Sequence, residues 1–291
     1  MTYHFIYNPV AGSGGSKKAW NQVDDFLKKI GFKYEVHETQ SEGHAKEIVN
    51  NLTHDTIEKT IISVGGDGTL CEVINGIDKF TNLTISLIPC GSGNDFVSAT
   101  RIPTNPIKAI KFILNQRPRK INYINVNNNR AINVVGFGLD TEVLKFYYKL
   151  KIFTPKFRYK FATLVKTLFF KWHKSQVKVD DGDWKDITTM LLTVGNGQAI
   201  GGGIKMCPTA KIDDDMLDFT YIGKFSRFFT ITNLIKVLKG KVLDLNFAKS
   251  VKCKSVEMKL PNKTYQYDGV LVRNEDTLKI TIGKEKINFI G

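Results

Sequence analysis

Residues 61–69 read Ile61-Ile62-Ser63-Val64-Gly65-Gly66-Asp67-Gly68-Thr69, an apolar run that passes directly into a glycine loop around a single acid. The β-branched run predicts a strand, and the loop would begin where that strand ends. Glycines let the backbone pass close to a bulky anion and aim amides at it. Asp67 cannot accept a bare phosphate beside it unless a cation or a transferable proton comes too. A magnesium nucleotide is the expected partner.

Two further loops have the same grammar. Asn8-Pro9-Val10-Ala11-Gly12-Ser13-Gly14-Gly15 follows Phe5-Ile6-Tyr7, and Cys90-Gly91-Ser92-Gly93-Asn94-Asp95 follows Ile85-Ser86-Leu87-Ile88. Three strand-then-glycine units within the first hundred residues would set their loops at one sheet edge. In an open α/β sheet the carboxyl edge is where ligands bind.

Working outward, residues 3 to 122 alternate apolar runs with helical patterns. Lys17–Ile30 places Trp20, Val23, Phe26, Leu27 and Ile30 on one face and stops at Gly31; Phe32–His37 reads as the next strand. Gly43–Leu52, Thr69–Ile77 and Pro106–Leu114 are further helices. This predicts a doubly wound α/β domain over residues 1–122. Beyond Lys120 the texture changes to strand-like runs at Ala131–Val135, Gln176–Val179, Thr188–Val194, Leu217–Ile222, Val256–Leu260, Thr264–Tyr267 and Leu278–Ile282. The expected second domain, 123–275, is β-rich, antiparallel and sandwich-like, with the active site in the cleft between the two domains. Residues 276–291 are free to return to the first domain.

A helical block from Thr141 to Lys174 interrupts the strands. Phe157, Phe161, Leu164, Leu168 and Trp172 recur at helical spacing beside Lys156, Arg158, Lys160, Lys166, Lys171 and Lys174. One reading is a basic amphipathic surface for an acidic membrane leaflet. The other is an apolar stripe facing the protein's own core, with a solvated basic back.

Composition narrows the classes. The chain has 291 residues, 42% of them hydrophobic, enough for packed cores. Its apolar stretches fall short of the ~18 residues that cross a bilayer, and Met1-Thr2-Tyr3-His4 lacks a basic secretion start. A cytoplasmic location is expected. Cys71, Cys90, Cys207 and Cys253 form no CxxC pair, and His4, His37, His44, His54 and His173 show no zinc spacing; buried free thiols and surface histidines are expected, and nothing demands a disulfide or a transition metal. A net charge of +14 implies an anionic partner, yet no nucleic-acid module is recognisable, so nucleic acid is not expected. Walker A is excluded because Gly223-Lys224, Gly240-Lys241 and Gly283-Lys284 are followed by Phe, Val and Glu. Neither a dinucleotide fingerprint nor a protein-kinase catalytic loop is present.

What remains resembles the diacylglycerol kinase catalytic-domain family of bacterial soluble lipid kinases, related to sphingosine kinases and distantly to NAD kinases. The elements are Asn8-Pro9-x-Ala11-Gly12; Gly65-Gly66-Asp67-Gly68-Thr69 with Glu72; and Gly91-Ser92-Gly93-Asn94-Asp95-Phe96. They continue through Gly195-Asn196, Gly201-Gly202-Gly203, Pro208-x-Ala210, Asp213-Asp214, Leu217-Asp218 and Asp268-Gly269. The resemblance implies that Asn8, Pro9, Val10, Ala11, Gly12, Thr39, Gly65, Gly66, Asp67, Gly68, Thr69, Leu70, Cys71 and Ser92 surround ATP. Asp67, Asn94 and Asp95 are expected near the acceptor hydroxyl or the catalytic magnesium, since their loops share a sheet edge. It also implies a structural magnesium in the second domain, held by the Asp214 carboxylate and the carbonyls of Lys211 and Met216; the family's glycine is Asp215 here.

Asp268 is the candidate general base, because phosphoryl transfer to an alcohol needs a carboxylate for the hydroxyl proton. Relatives read Asp-Gly-Glu where this chain has Asp268-Gly269-Val270. The resulting expectation is an ATP- and Mg²⁺-dependent lipid kinase acting on a lipid alcohol, diacylglycerol first, at the acidic inner face of the membrane. A homodimer is compatible with it. An NAD kinase-like enzyme and a nucleotide- or lipid-binding regulator that has lost catalysis are the alternatives.

Overall fold

A computed structural model describes residues 2–150, 155–225, 233, 236–237 and 239–291. Residues 151–154 of the expected helical block, and the side chains of Lys156 and Lys160, lie outside the described residues. The chain forms two compact units, one of Met1–Asn122 with Lys284–Gly291 and one of Tyr123–Gly283.

The first unit runs β1 (Thr2–Tyr7), α1 (Gly15–Lys29), β2 (Glu35–Glu38), α2 (His44–Leu52), β3 (Lys59–Gly65), α3 (Asp67–Gly76), β4 (Leu83–Pro89), α4 (Pro106–Asn115) and β5 (Arg119–Ile121). Its sheet has the order β2-β1-β3-β4, then the late strand Ile287–Phe289, then β5. The pairs among β1 to β4 are parallel. Every residue of β3 and β4 is buried, as a parallel sheet covered on both faces requires. α1 buries Ala19, Trp20, Val23 and Leu27 at helical spacing. α4 opens on Pro106 after Asn105, whose Oδ1 accepts the Lys108 amide at 3.0 Å, a side-chain cap on a proline start. Ile290 closes the far side, its amide donating to Ile85 O at 3.0 Å and its carbonyl accepting from Ser86 Oγ at 2.8 Å.

Several boundaries differ from expectation: the strand expected at Phe32–His37 is Glu35–Glu38, and two helix starts in this unit move further than the other two. α1 begins at Gly15 and α3 at Asp67, each two residues before the expected start. Both are capped by glycine with no side-chain acceptor, so the usual Ser, Thr, Asp or Asn start signal is missing.

The second unit continues with β6 (Ile124–Val126), β7 (Asn129–Ala131), β8 (Val134–Gly138), α5 (Leu139–Lys149), α6 (Pro155–Leu168), β9 (His173–Val179), β10 (Lys185–Gly195), β11 (Ala199–Ile200), β12 (Ile204–Lys205), β13 (Leu217–Gly223), β14 (Ala248–Cys253), β15 (Ser255–Lys259), β16 (Thr264–Tyr267), β17 (Val270–Arg273) and β18 (Thr277–Ile282). Its main sheet is antiparallel, in the order β17-β16-β8-β10-β9-β15-β18-β6-β7, with β13 and β14 branching from β10. The long β10 makes the branch: residues 185–189 pair with β9, while 191–195 pair with both β8 and β13, on either side of an irregularity at Thr189/Leu191. β18 stays in this unit, so the return to the first unit starts at Lys284 rather than at 276.

Three readings change. The run expected at Ala131–Val135 is two strands, β7 and β8, broken at Ile132-Asn133. The block expected as helical to Lys174 is two helices followed by β9, whose His173, Ser175 and Val177 point inward with period two. Phe157, Phe161, Leu164 and Leu168 of α6 are exposed, whereas Ala162, Thr163 and Thr167 on the opposite face are buried, so the apolar stripe does not face the core.

Candidate active site

In the first unit the sheet order reverses at β1: β2 lies on one side of it and β3 on the other. That reversal creates the crevice in which open α/β sheets bind ligands. The loops after β1, β3 and β4 meet at this edge. Asn8 N donates to Val64 O at 3.1 Å, Asn8 Nδ2 to Thr69 Oγ1 at 3.1 Å, and Cys90 N to Gly65 O at 2.7 Å. Thr39, buried, donates its amide to Tyr7 O at 2.8 Å and so lies beside the same loops.

The glycines are required by close approach. A Cβ on Gly91 would lie 2.4 Å from Gly66 Cα, one on Gly12 2.0 Å from Cys90 O, and one on Gly65 2.4 Å from Thr69 Oγ1. Gly66 itself is extended (φ −101°), so it serves packing rather than a left-handed turn. Asn94 does use positive φ (53°); its Oδ1 accepts the Gly91 amide at 2.9 Å and its Nδ2 donates to Gly91 O at 3.0 Å, closing the third loop on itself.

Asp67 binds these loops together. Its Oδ2 accepts the amide of Asp95 at 2.9 Å and its Oδ1 that of Phe96 at 3.1 Å. Burial pushes its carboxyl above the ordinary range, opposed by these amide bonds and by those of Asp67 and Asn94 themselves. α1 and α3 both start at this edge, so two helix N-termini with glycine caps offer amides and positive dipole ends to an anion, about 0.3–1 kcal/mol each in exposed settings. The structure therefore brings together Asn8, Gly12, Thr39, the stretch Gly65–Thr69, Gly91, Asn94 and Asp95 within one unit.

Asp268 lies in the second unit, at the tip of the β16–β17 hairpin. Asp268 (φ 45°) and Gly269 (φ 88°) form a two-residue turn with both residues left-handed, the Asp-Gly pattern of a primed hairpin turn. Its carboxylate accepts the amides of Ile132 at 2.6 Å, Asn133 at 3.1 Å and Val134 at 2.9 Å, which occupy the break between β7 and β8. The chain break that the sequence reading missed is thus held open by the candidate base.

Asp214 has a different partner from the one expected. Lys252 Nζ donates to Asp214 Oδ2 at 2.7 Å, to the buried Asp218 Oδ2 at 2.9 Å and to Thr209 O at 3.3 Å, while Asp214 Oδ1 accepts the Met216 amide at 3.2 Å. Asp218 Oδ1 also accepts from Thr209 Oγ1 at 2.5 Å. An ammonium holds one oxygen of the Asp214 carboxylate, so a divalent cation on the expected set of Lys211, Asp214 and Met216 would share that side chain with Lys252. Asp215 adopts φ 61°, so the loop keeps the left-handed turn despite losing the family's glycine. Lys252 was not anticipated: it reaches Asp218 only through the β13–β14 pairing, in which the two residues are direct partners.

A second acid escaped the sequence reading. Gly136-Phe137-Gly138-Leu139-Asp140 follows Val134-Val135, the same strand, glycine and acid grammar as the Asp67 loop, and it joins β8 to α5. Asp140 is buried, and its Oδ2 accepts from Gln266 Nε2 at 2.6 Å, while Gln266 Oε1 accepts the Gly269 amide at 2.9 Å. Asp140 also lines a narrow, largely apolar pocket with Leu139, Val143, Met190, Met206 and Phe247.

The comparisons with known proteins agree with this organisation. The family model of the diacylglycerol kinase catalytic domain matches residues 2–126, and that of the YegS C-terminal NAD kinase beta sandwich-like domain matches residues 133–274. The chain is 29% identical over 282 residues to a diacylglycerol kinase of Staphylococcus carnosus (strain TM300), covering 94% of this chain and 91% of that one. A crystal structure of a diacylglycerol kinase from Bacillus anthracis str. Sterne superposes with a TM-score of 0.75 at 22% identity, over 99% of this chain and 96% of that one. An NAD kinase from Archaeoglobus fulgidus, solved with ATP, shares the fold more loosely, with a TM-score of 0.56 at 14% identity over 100% and 94% of the two chains.

Proposed function

This chain belongs to the diacylglycerol kinase catalytic-domain family of soluble lipid kinases, and on that premise we propose that it transfers the γ-phosphate of ATP to the hydroxyl of a lipid alcohol, diacylglycerol first, giving phosphatidic acid. The observation that carries the lipid reading is the apolar cavity of the second unit. An acyl chain gains about 0.8 kcal/mol for each methylene moved from water into such a wall, whereas the charged acceptor of an NAD kinase gains nothing there.

ATP is assigned to the three glycine loops of the first unit, whose amides and helix starts suit its phosphates. Magnesium entering with the nucleotide would neutralise phosphate charge. Phosphoryl transfer asks the protein mainly for positioning and electrostatics. Asp67 and Asp95 are assigned to the reacting end of the loops. Asp268 is assigned as base, its three amide bonds fixing where the carboxylate points. Asp140 is assigned to the polar head of the acceptor, since it lines the cavity.

The acceptor also explains the outside of the molecule. Among the described residues no helix is long and apolar enough to cross a membrane. α6 nonetheless exposes Phe157, Phe161, Leu164 and Leu168 in one stripe, followed by Phe169 at 79% exposure, beside Arg158, Lys166 and Lys171. An apolar ridge flanked by cations fits the interface of an anionic bilayer. We assign the protein to peripheral binding at such a surface.

The test is transfer of labelled γ-phosphate from Mg-ATP to diacylglycerol in anionic vesicles, with NAD as the competing acceptor. Labelled phosphatidic acid supports the reading. Labelled NADP, or stoichiometric ATP binding with no labelled product from any lipid alcohol, would replace it with the NAD kinase or the regulator respectively.

A further inference from the structure

The parallel pairing of β1 with the edge strand β2 sets His4 opposite Glu35 and Ile6 opposite His37, so His4, Glu35 and His37 share one face. Their ligand atoms converge. His4 Nδ1 lies 3.2 Å from His37 Nε2 and 3.4 Å from Glu35 Oε2, and His37 Nε2 lies 3.8 Å from Glu35 Oε2. All three fall within 4.8 Å of one another, and this is the only such group of histidine, cysteine and acidic side chains among the described residues.

A tetrahedral ion holding nitrogen and oxygen ligands at about 2.0–2.2 Å separates them by about 3.3–3.6 Å. The three measured edges straddle that range. A shared proton satisfies one edge of the triangle; a cation at its centre satisfies all three. We propose that His4, Glu35 and His37 form a binding site for a borderline divalent ion of the Zn²⁺ class, with a fourth position open to solvent.

The surroundings suit that role. His4 is buried and its other nitrogen, Nε2, lies 3.0 Å from Thr2 Oγ1, the kind of outer hydrogen bond that orients a ligating imidazole. His37 is half-buried and Glu35 exposed, which leaves an entry path. The nearby cation Lys59 is paired with Asp55, so its charge is compensated. The soft or borderline nitrogen donors favour Zn²⁺, Co²⁺ or Ni²⁺ over Mg²⁺, and separate this site from any ion that arrives with ATP. The bound ion would pin β2 to β1 just before Thr39, whose amide continues the same pairing to Tyr7.

The experiment is a calorimetric titration of Zn²⁺ into the full, tag-free chain after chelator treatment and without nucleotide, repeated with Glu35→Gln and His37→Gln. His4 is left intact because its burial makes loss of fold a confounding outcome; circular dichroism checks the two variants. We expect one site per chain, weakened at least about ten-fold by either substitution. Cobalt should give a tetrahedral visible spectrum with no thiolate charge-transfer band. Absence of saturable binding, binding unchanged in both variants, or a thiolate band assigning the ion to a cysteine would overturn the proposal.

Discussion

The carboxylate of Asp67 is hydrogen-bonded to the backbone amides of Asp95 and Phe96, so the acid of the second glycine loop forms the floor of the third. It is a positioning group as well as a charge. Asp67→Ala leaves those amides without an acceptor, at about 1–3 kcal/mol each. The expected outcome is a variant less stable by roughly 2–6 kcal/mol that transfers no phosphate, measured by urea unfolding and the vesicle assay. Full transfer by Asp67→Ala would remove this residue from the site.

Lys252 is expected to make the second unit indifferent to divalent ions. In the chelator-treated chain without nucleotide, added millimolar Mg²⁺ should leave the wild-type melting temperature where it is. Lys252→Met removes the cation between Asp214 and the buried Asp218. Breaking a buried pair costs about 3–5 kcal/mol; with the lysine partly exposed, about 1–3 kcal/mol is expected. Part of that loss should be recovered in millimolar Mg²⁺. A wild-type melting temperature that rises in millimolar Mg²⁺ would return the site to the metal.

His173 gives a pH dependence. Burial is the main cause that holds its imidazole below its ordinary 6.5, with Lys145 adding to that effect and Glu142 opposing it. Asn262 Nδ2, 2.9 Å from Nδ1, suits a neutral ring. A histidine whose folded pKa is lowered binds its proton more readily when unfolded, so the stability it contributes is present above pH 6.5 and is lost as pH falls through the folded value. Chemical denaturation between pH 7.5 and about pH 5 should show this slope, and His173→Gln should flatten it. An unchanged slope would assign the dependence elsewhere.

The α6 stripe should govern membrane affinity without touching nucleotide binding. Fully burying one Leu or Phe side chain is worth about 1.5–3 kcal/mol. Replacing Phe161, Leu164 and Leu168 together by Gln should therefore lower sedimentation with phosphatidylglycerol vesicles well beyond ten-fold while ATP binding persists. Unaltered vesicle binding would move the docking face to another part of the surface.

Much of the first unit was legible because its signals are local. A β-branched run followed by Gly65-Gly66-Asp67 carries strand, turn and ligand edge within nine residues. The helix starts were misplaced because Gly14 and Gly66 cap α1 and α3 without a polar side chain. In the second unit the deciding relationships are long-range. Asp268 fixes residues 132–134, and Lys252 reaches Asp218 across a strand pair separated by a stretch that carries no motif. The Gly136-to-Asp140 pattern was within reach, since it repeats the grammar already read at Asp67. The direction of the α6 stripe was not, because periodicity gives a face but not what lies against it.

The strand Ile287–Phe289 sits between β4 and β5 of the first sheet, parallel to one and antiparallel to the other. On the ribosome, β4 and β5 are made early and this strand only after the whole second unit has emerged. The first unit's sheet therefore waits, with the flank of β4 unpaired, for a partner some 200 residues downstream, which Ser86 and Ile290 then fasten. Non-local closure of this kind is slow and leaves an edge exposed to other chains meanwhile. Synthesis order thus makes the second unit a prerequisite for completing the first, so that this sheet is never finished before the unit proposed to supply a lipid.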